Sequence, residues 1–153
     1  MPYPVSSQTL NASPMALAPG GQAPAVDTDG IIRNLSYSPR IIAKTAAYSV
    51  LARETGTYFT TTAATQAITF TLPVLVSGTA WVFEFFNGAD QSMTVTAGTA
   101  DTAVTFNDLA ADSVAFSTAS EKIGGHIIAF TDGTTLFVVA HGSQFNQHVT
   151  VTT

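Results

Sequence analysis

Ile68, Phe70 and Leu72 alternate with Thr69 and Thr71. A period of two predicts a β-strand, with its apolar side chains on a core and its threonines facing out. The same alternation, or a short apolar run, recurs at 47–52, 57–62, 67–74, 80–86, 92–97, 102–106, 113–118, 126–131, 135–141 and 148–152. Each is read as a strand. Asn87-Gly88 and Asp132-Gly133 are hairpin signals, because both turn positions tolerate positive φ. Residues 106–113, "FNDLAADS", are the one stretch that reads as a helical turn. Many short strands at regular spacing predict an all-β fold, an antiparallel β-sandwich or barrel of jelly-roll-like form.

"AWVFEFF" (80–86) departs from simple alternation. Trp81, Phe83 and Phe85 share one face, while Val82, Glu84 and Phe86 share the other. A strand that is apolar on both faces lies centrally between two layers or is covered by another subunit. Glu84 is expected to sit outside, or to pair with Arg53 or Lys122.

The pattern stops near residue 40. Six of the seven prolines (Pro2, Pro4, Pro14, Pro19, Pro24, Pro39) and "PGGQAP" precede that point, without sustained periodicity. Residues 1–42 are therefore read as an extended arm and residues 43–153 as the β-domain. Within the arm, Ile31, Ile32, Leu35, Tyr37, Ile41 and Ile42 are too apolar to remain in water. They are the candidate anchor to a partner.

Composition sharpens this picture. Charged residues make up 10% of the 153, and 24 residues are threonine. The usual charged share is about 25%. Threonine suits pleated sheet, and its hydroxyl wets an exposed face without charge. A surface so poor in lysine and glutamate has few devices against association, which fits life in an assembly. The net charge of −5, with Arg33, Arg40, Lys44, Arg53 and Lys122 scattered, argues against nucleic-acid binding. There is no cysteine, so neither a disulfide nor a thiolate metal site can form. No apolar run approaches the ~18 residues of a membrane span. "MPYPVSSQTL" lacks the basic and apolar regions of a secretory signal, so export by that route is not expected.

Candidate chemistry is sparse. His126, His141 and His148 lack the i, i+2 spacing of a strand metal clip, and the first two read as strand-end residues. "DTDG" (27–30) opens like a calcium loop, but Ser38 stands where that loop needs its closing carboxylate, leaving an Asx turn. "NAS" (11–13) and "NLS" (34–36) match the glycosylation triplet, and without an export signal they carry no weight. No strand–turn–helix elbow presents a serine nucleophile, and no acid pair is marked out for glycoside cleavage. No catalytic residue, cofactor or metal ligand is expected.

Three segments, "YSVLARETGTYFTTTAATQAITFTLP", "WVFEFFNGADQSMTVTAG" and "GGHIIAFTDGTTLFVVAHG", resemble a β-domain of tailed-bacteriophage structural proteins. Such domains occur in capsid decoration (head cement or head fibre) proteins and in some tail-fibre parts. The likeness spans roughly residues 45–142 and rests on an opening Y-x-V, a T-F-T-L-P strand and a closing hairpin ending in glycine. Leu136 or Phe137 stands where such domains commonly carry a tryptophan beside the hairpin. The resemblance implies a non-enzymatic homotrimer on the virion, bound to the major capsid protein at the capsid surface. The alternative it leaves open is a receptor- or carbohydrate-binding module of a tail fibre.

Overall fold

The computed structural model describes residues 40–99, 101–142 and 147–153, and two short strands, Ala25–Val26 (β1) and Ile32–Arg33 (β2). The chain divides into two compact units, Met1–Ser38 and Pro39–Thr153. In the first, β1 and β2 pair antiparallel, with Val26 opposite Ile32. Ile31, Leu35 and Tyr37 lie outside the described residues, as do the "DTDG" turn and both asparagine triplets.

The second unit is an all-β sandwich. Its strands are Arg40–Ala43 (β3), Tyr48–Ser49 (β4), Thr57–Thr60 (β5), Ile68–Thr71 (β6), Trp81–Phe86 (β7) and Met93–Thr96 (β8). Ala103–Thr105 (β9), Asp108–Ala111 (β10), Ser113–Phe116 (β11), His126–Thr131 (β12), Leu136–His141 (β13) and Thr150–Thr152 (β14) follow. One sheet has seven strands in the order β10-β9-β13-β12-β7-β5-β3, the other five in the order β14-β11-β8-β6-β4.

The pairing corrects the antiparallel expectation, because both sheets are mixed. From β3 to β8 the chain alternates between sheets, so β3, β5 and β7 lie side by side and parallel, as do β4, β6 and β8. A strand that crosses to the opposite sheet and returns arrives in the direction in which it left. The opposite sheet thus serves as the crossover that parallel pairing requires. Antiparallel pairing takes over afterwards, as β12 joins β7 and β13 joins β12, while β11 joins β8 and β14 joins β11. β9 then adds parallel to β13.

Three local readings change as well. Arg40–Ala43 pairs with Thr57–Thr60, so the β unit starts at Pro39, and residues 40–42 belong to the sheet rather than to an arm. Residues 106–113 hold no helical turn. Phe106 and Asn107 cap a tight hairpin in which Asp108 sits opposite Thr105, and backbone pairing to β9 overrides the local helical signal. Asp132-Gly133 does turn a hairpin, with Gly133 at φ +89°. Asn87-Gly88 does not, because β7 and β8 belong to different sheets.

At that crossing Asn87 is fully buried. Its Nδ2 donates to the carbonyls of Gln91 (2.8 Å) and Lys122 (2.9 Å), and its Oδ1 accepts from Thr61 Oγ1. Its backbone is held too, donating to Gly125 O and accepting from Gly124 N. One amide thus ties the β7–β8 crossing to two neighbouring loops. We expect Asn87→Ala to lower stability by about 2–4 kcal/mol, since several buried polar groups lose their partner. Urea unfolding followed by circular dichroism measures this. A loss below about 1 kcal/mol would mean that the network is dispensable.

Candidate functional site

The two outer sheet faces differ in kind. On the five-stranded sheet, cross-strand register aligns Ser49, Thr71, Thr96, Ser113 and Thr152 in one row. Thr69, Thr94, Ala115 and Thr150 form a second row. Eight of these nine row residues carry a hydroxyl and none is charged, as the threonine alternation announces.

The outer face of the seven-stranded sheet is apolar. Val104, Phe137, Phe130 and Val82 form its first row. Val139, Ile128, Glu84, Tyr58 and Ile41 form the second. His141, His126, Phe86, Thr60 and Ala43 form the third. Ile41 is 65% exposed, Val82 43%, Val139 40% and Phe130 39%. Phe130 and Phe137 stack at 5.1 Å between ring centroids. Exposed apolar rows of this extent make this face the candidate interaction surface. The expectation for β7 is met on its first face, since Trp81, Phe83 and Phe85 are core, while Val82 on the second face stands open to solvent.

A polar island interrupts the apolar rows. Glu84 Oε2 lies 3.1 Å from His126 Nε2, so Glu84 pairs with neither Arg53 nor Lys122. The His126 ring stacks on Tyr58 at 5.8 Å and sits 6.4 Å from the ring of His141. Burial, helped by the nearby Glu84 charge, raises the Tyr58 pKa and keeps its hydroxyl protonated. Sequence spacing hid the histidine pair because the two are joined only through the 132–135 hairpin. Once that hairpin is placed, His126 falls opposite His141.

The anchor candidates separate. Ile41 lies in the apolar face, whereas Ile42 packs against the core and is not free to anchor anything. Ile32 lies in β2, opposite Val26.

Other ionisable groups are engaged in holding the fold. Glu121 Oε2 accepts the His148 backbone N–H at 2.8 Å and meets its Nδ1 at 2.6 Å, which lowers the carboxyl pKa. Asp132 accepts the amides of Thr134 and Thr135, and Asp108 accepts Ala110 N and Thr153 Oγ1, both with lowered pKa. Among the described residues, no group of three or more His, Asp or Glu is placed to hold a metal ion. A depression of about 340 Å³, lined by Thr96, Gly98, Asp101, Thr102 and Asp112, is open to solvent.

Glu54 locks the start of the β unit. Both its oxygens accept from Tyr48 OH (2.8 and 3.0 Å), and Oε2 also accepts from Leu51 N (3.0 Å). Burial pushes its pKa up, but the Leu51 amide, the Tyr48 hydroxyl, Arg40 and Lys44 outweigh it and hold the carboxyl below its ordinary range. A folded-state pKa below the unfolded one stabilises the fold at neutral pH. That contribution is lost as pH falls through the folded value. Tyr48→Phe should therefore cost about 1–2 kcal/mol at pH 7 and less at pH 3, by urea unfolding at the two pH values. An equal loss at both would mean that Glu54 is not the partner that matters.

Comparison of the chain with known protein families, with curated proteins and with solved structures finds no match.

Proposed function

We propose that this chain is a non-enzymatic structural protein of a bacteriophage virion, which binds the outer surface of the capsid as a homotrimer and decorates or cements it. The observation that carries the assembly part is the contrast between the two outer faces. One is an uncharged threonine surface fit for water, the other an apolar surface that water alone leaves unsatisfied. The capsid part rests on the resemblance of residues 45–142 to phage decoration domains, together with a proline-rich segment ahead of a compact β unit. The alternative, a receptor- or carbohydrate-binding module of a tail fibre, draws on the β9–β10 hairpin. There Phe106 is 66% exposed in a left-handed conformation (φ +46°), beside the exposed Leu109. A bulky residue held so at a loop apex is strained and presents an aromatic ring to a ligand.

Anchoring by three copies of residues 1–38 would multiply a weak contact through effective concentration. A chain beginning at Pro39 keeps β3 and should fold to the same sheet spectrum, yet should lose binding to capsids of the parent phage. Ile32→Asp with Leu35→Asp in the full chain should weaken that binding by at least about a hundredfold, as roughly 1.5–3 kcal/mol of apolar burial is withdrawn at each of the two side chains in every arm. Co-sedimentation with particles reads both. Decoration at full occupancy by the shortened chain would place the anchor in the β unit instead.

A further inference from the structure

We infer that copies of this chain meet through the outer face of the seven-stranded sheet, with the Glu84–His126 pair buried among them and the threonine face left outward. The inference rests on the assembly reading above and names its surface. Three observations select another copy as the occupant. The first is area. Six strands about 4.8 Å apart, three of them six residues long and three of only three or four, average roughly 16 Å in length and give a footprint on the order of 450 Å² in projection, which standing side chains enlarge. A standard interface buries roughly 800 Å² per partner and a minimal one about 500 Å², so this face with its standing side chains approaches the lower bound.

The second is charge. The chain carries a formal net charge of −5, so copies repel one another over most approaches. On this face the one carboxylate, Glu84, already has His126 at 3.1 Å. Identical faces therefore bring together one hydrogen-bonded carboxylate per copy rather than a charged patch, whereas a strongly basic or acidic partner would find little to match. The third is chemistry. Val82, Phe130, Phe137 and Val139 form an apolar field around an island that holds both donors and an acceptor in Tyr58, His126 and Glu84. Apolar surround with a small satisfied polar centre is the composition of a subunit interface, and the polar centre fixes its register.

Sedimentation velocity of the full chain tests this. The wild type should sediment as an oligomer at micromolar concentration. Val139→Lys and Val82→Lys change exposed side chains, so each should keep the sheet spectrum while raising the dissociation constant by about a hundredfold or more. His126→Ala strands the Glu84 carboxylate and should weaken association by about tenfold or more, and Glu84→Gln with His126→Gln should restore most of it. Val139→Lys and Val82→Lys variants that remain oligomeric would overturn the inference. So would a wild-type chain that sediments as a monomer, since residues 1–38 or another protein would then cover the face. Particle binding is scored separately. A wild-type oligomer, dissociated by Val139→Lys, that ignores capsids would sink the virion reading and leave this interface standing.

Discussion

Everything in the β unit hangs on the aromatic contact between its two sheets. Phe59 on β5 and Phe85 on β7 belong to one sheet, and Phe70 on β6 belongs to the other. Their rings meet at 5.7 Å (Phe59–Phe70) and 4.8 Å (Phe70–Phe85), while Phe59 and Phe85 stack at 5.6 Å within their own sheet. All three are fully buried. Because successive strands alternate between sheets, each must turn its apolar residues inward to reach this cluster. Trp81 and Phe83 extend it along β7, and Ile68, Met93 and Val95 close it from the opposite sheet. Aromatic pairs add about 0.5–1.5 kcal/mol each beyond burial, so the cluster also fixes how the sheets sit on each other.

With the inner faces committed, the outer faces carry the functional difference. Strands β6 and β8 spend their outer positions on threonine, whereas β7, β12 and β13 spend theirs on Val82, Ile128, Phe130, Phe137 and Val139. The parallel winding concentrates this difference. β6 and β8 become neighbours in one sheet although β7 separates them in the chain, so their Thr-x-Thr pairs align hydroxyl beside hydroxyl. The same winding brings Tyr58 beside Glu84, and the later antiparallel strands deliver His126 and His141 to the same spot.

The crossings between sheets demand their own chemistry. A backbone leaving one sheet for the other must satisfy its polar groups without a ladder partner. Asn87 does this for the β7–β8 crossing and Glu54 does it near the β4–β5 crossing. Both are polar side chains buried in the unit, alongside Thr57, Thr61, Thr105 and Thr131, and both accept or donate to backbone rather than to solvent.

The sequence by itself determined what is local. Period-two alternation marked ten of the strands of the β unit, because which face a side chain takes follows from the pleat alone. It also showed that β7 is apolar on both sides, and that Asp132-Gly133 must turn the chain. Only the tertiary structure decided which strands are neighbours. Alternation reads the same in a parallel or an antiparallel pair, so the interleaved winding of β3 to β8 could not be seen, and Asn87-Gly88 read as a hairpin when it is a crossing. For the same reason the outer face of the seven-stranded sheet was invisible as a surface. Val104, Phe137, Phe130 and Val82 are scattered over 56 positions and become one row only by cross-strand register. Ile41 and Ile42, adjacent in the chain and alike in composition, part company on the same ground: the pleat sends one out to that face and the other in to the core.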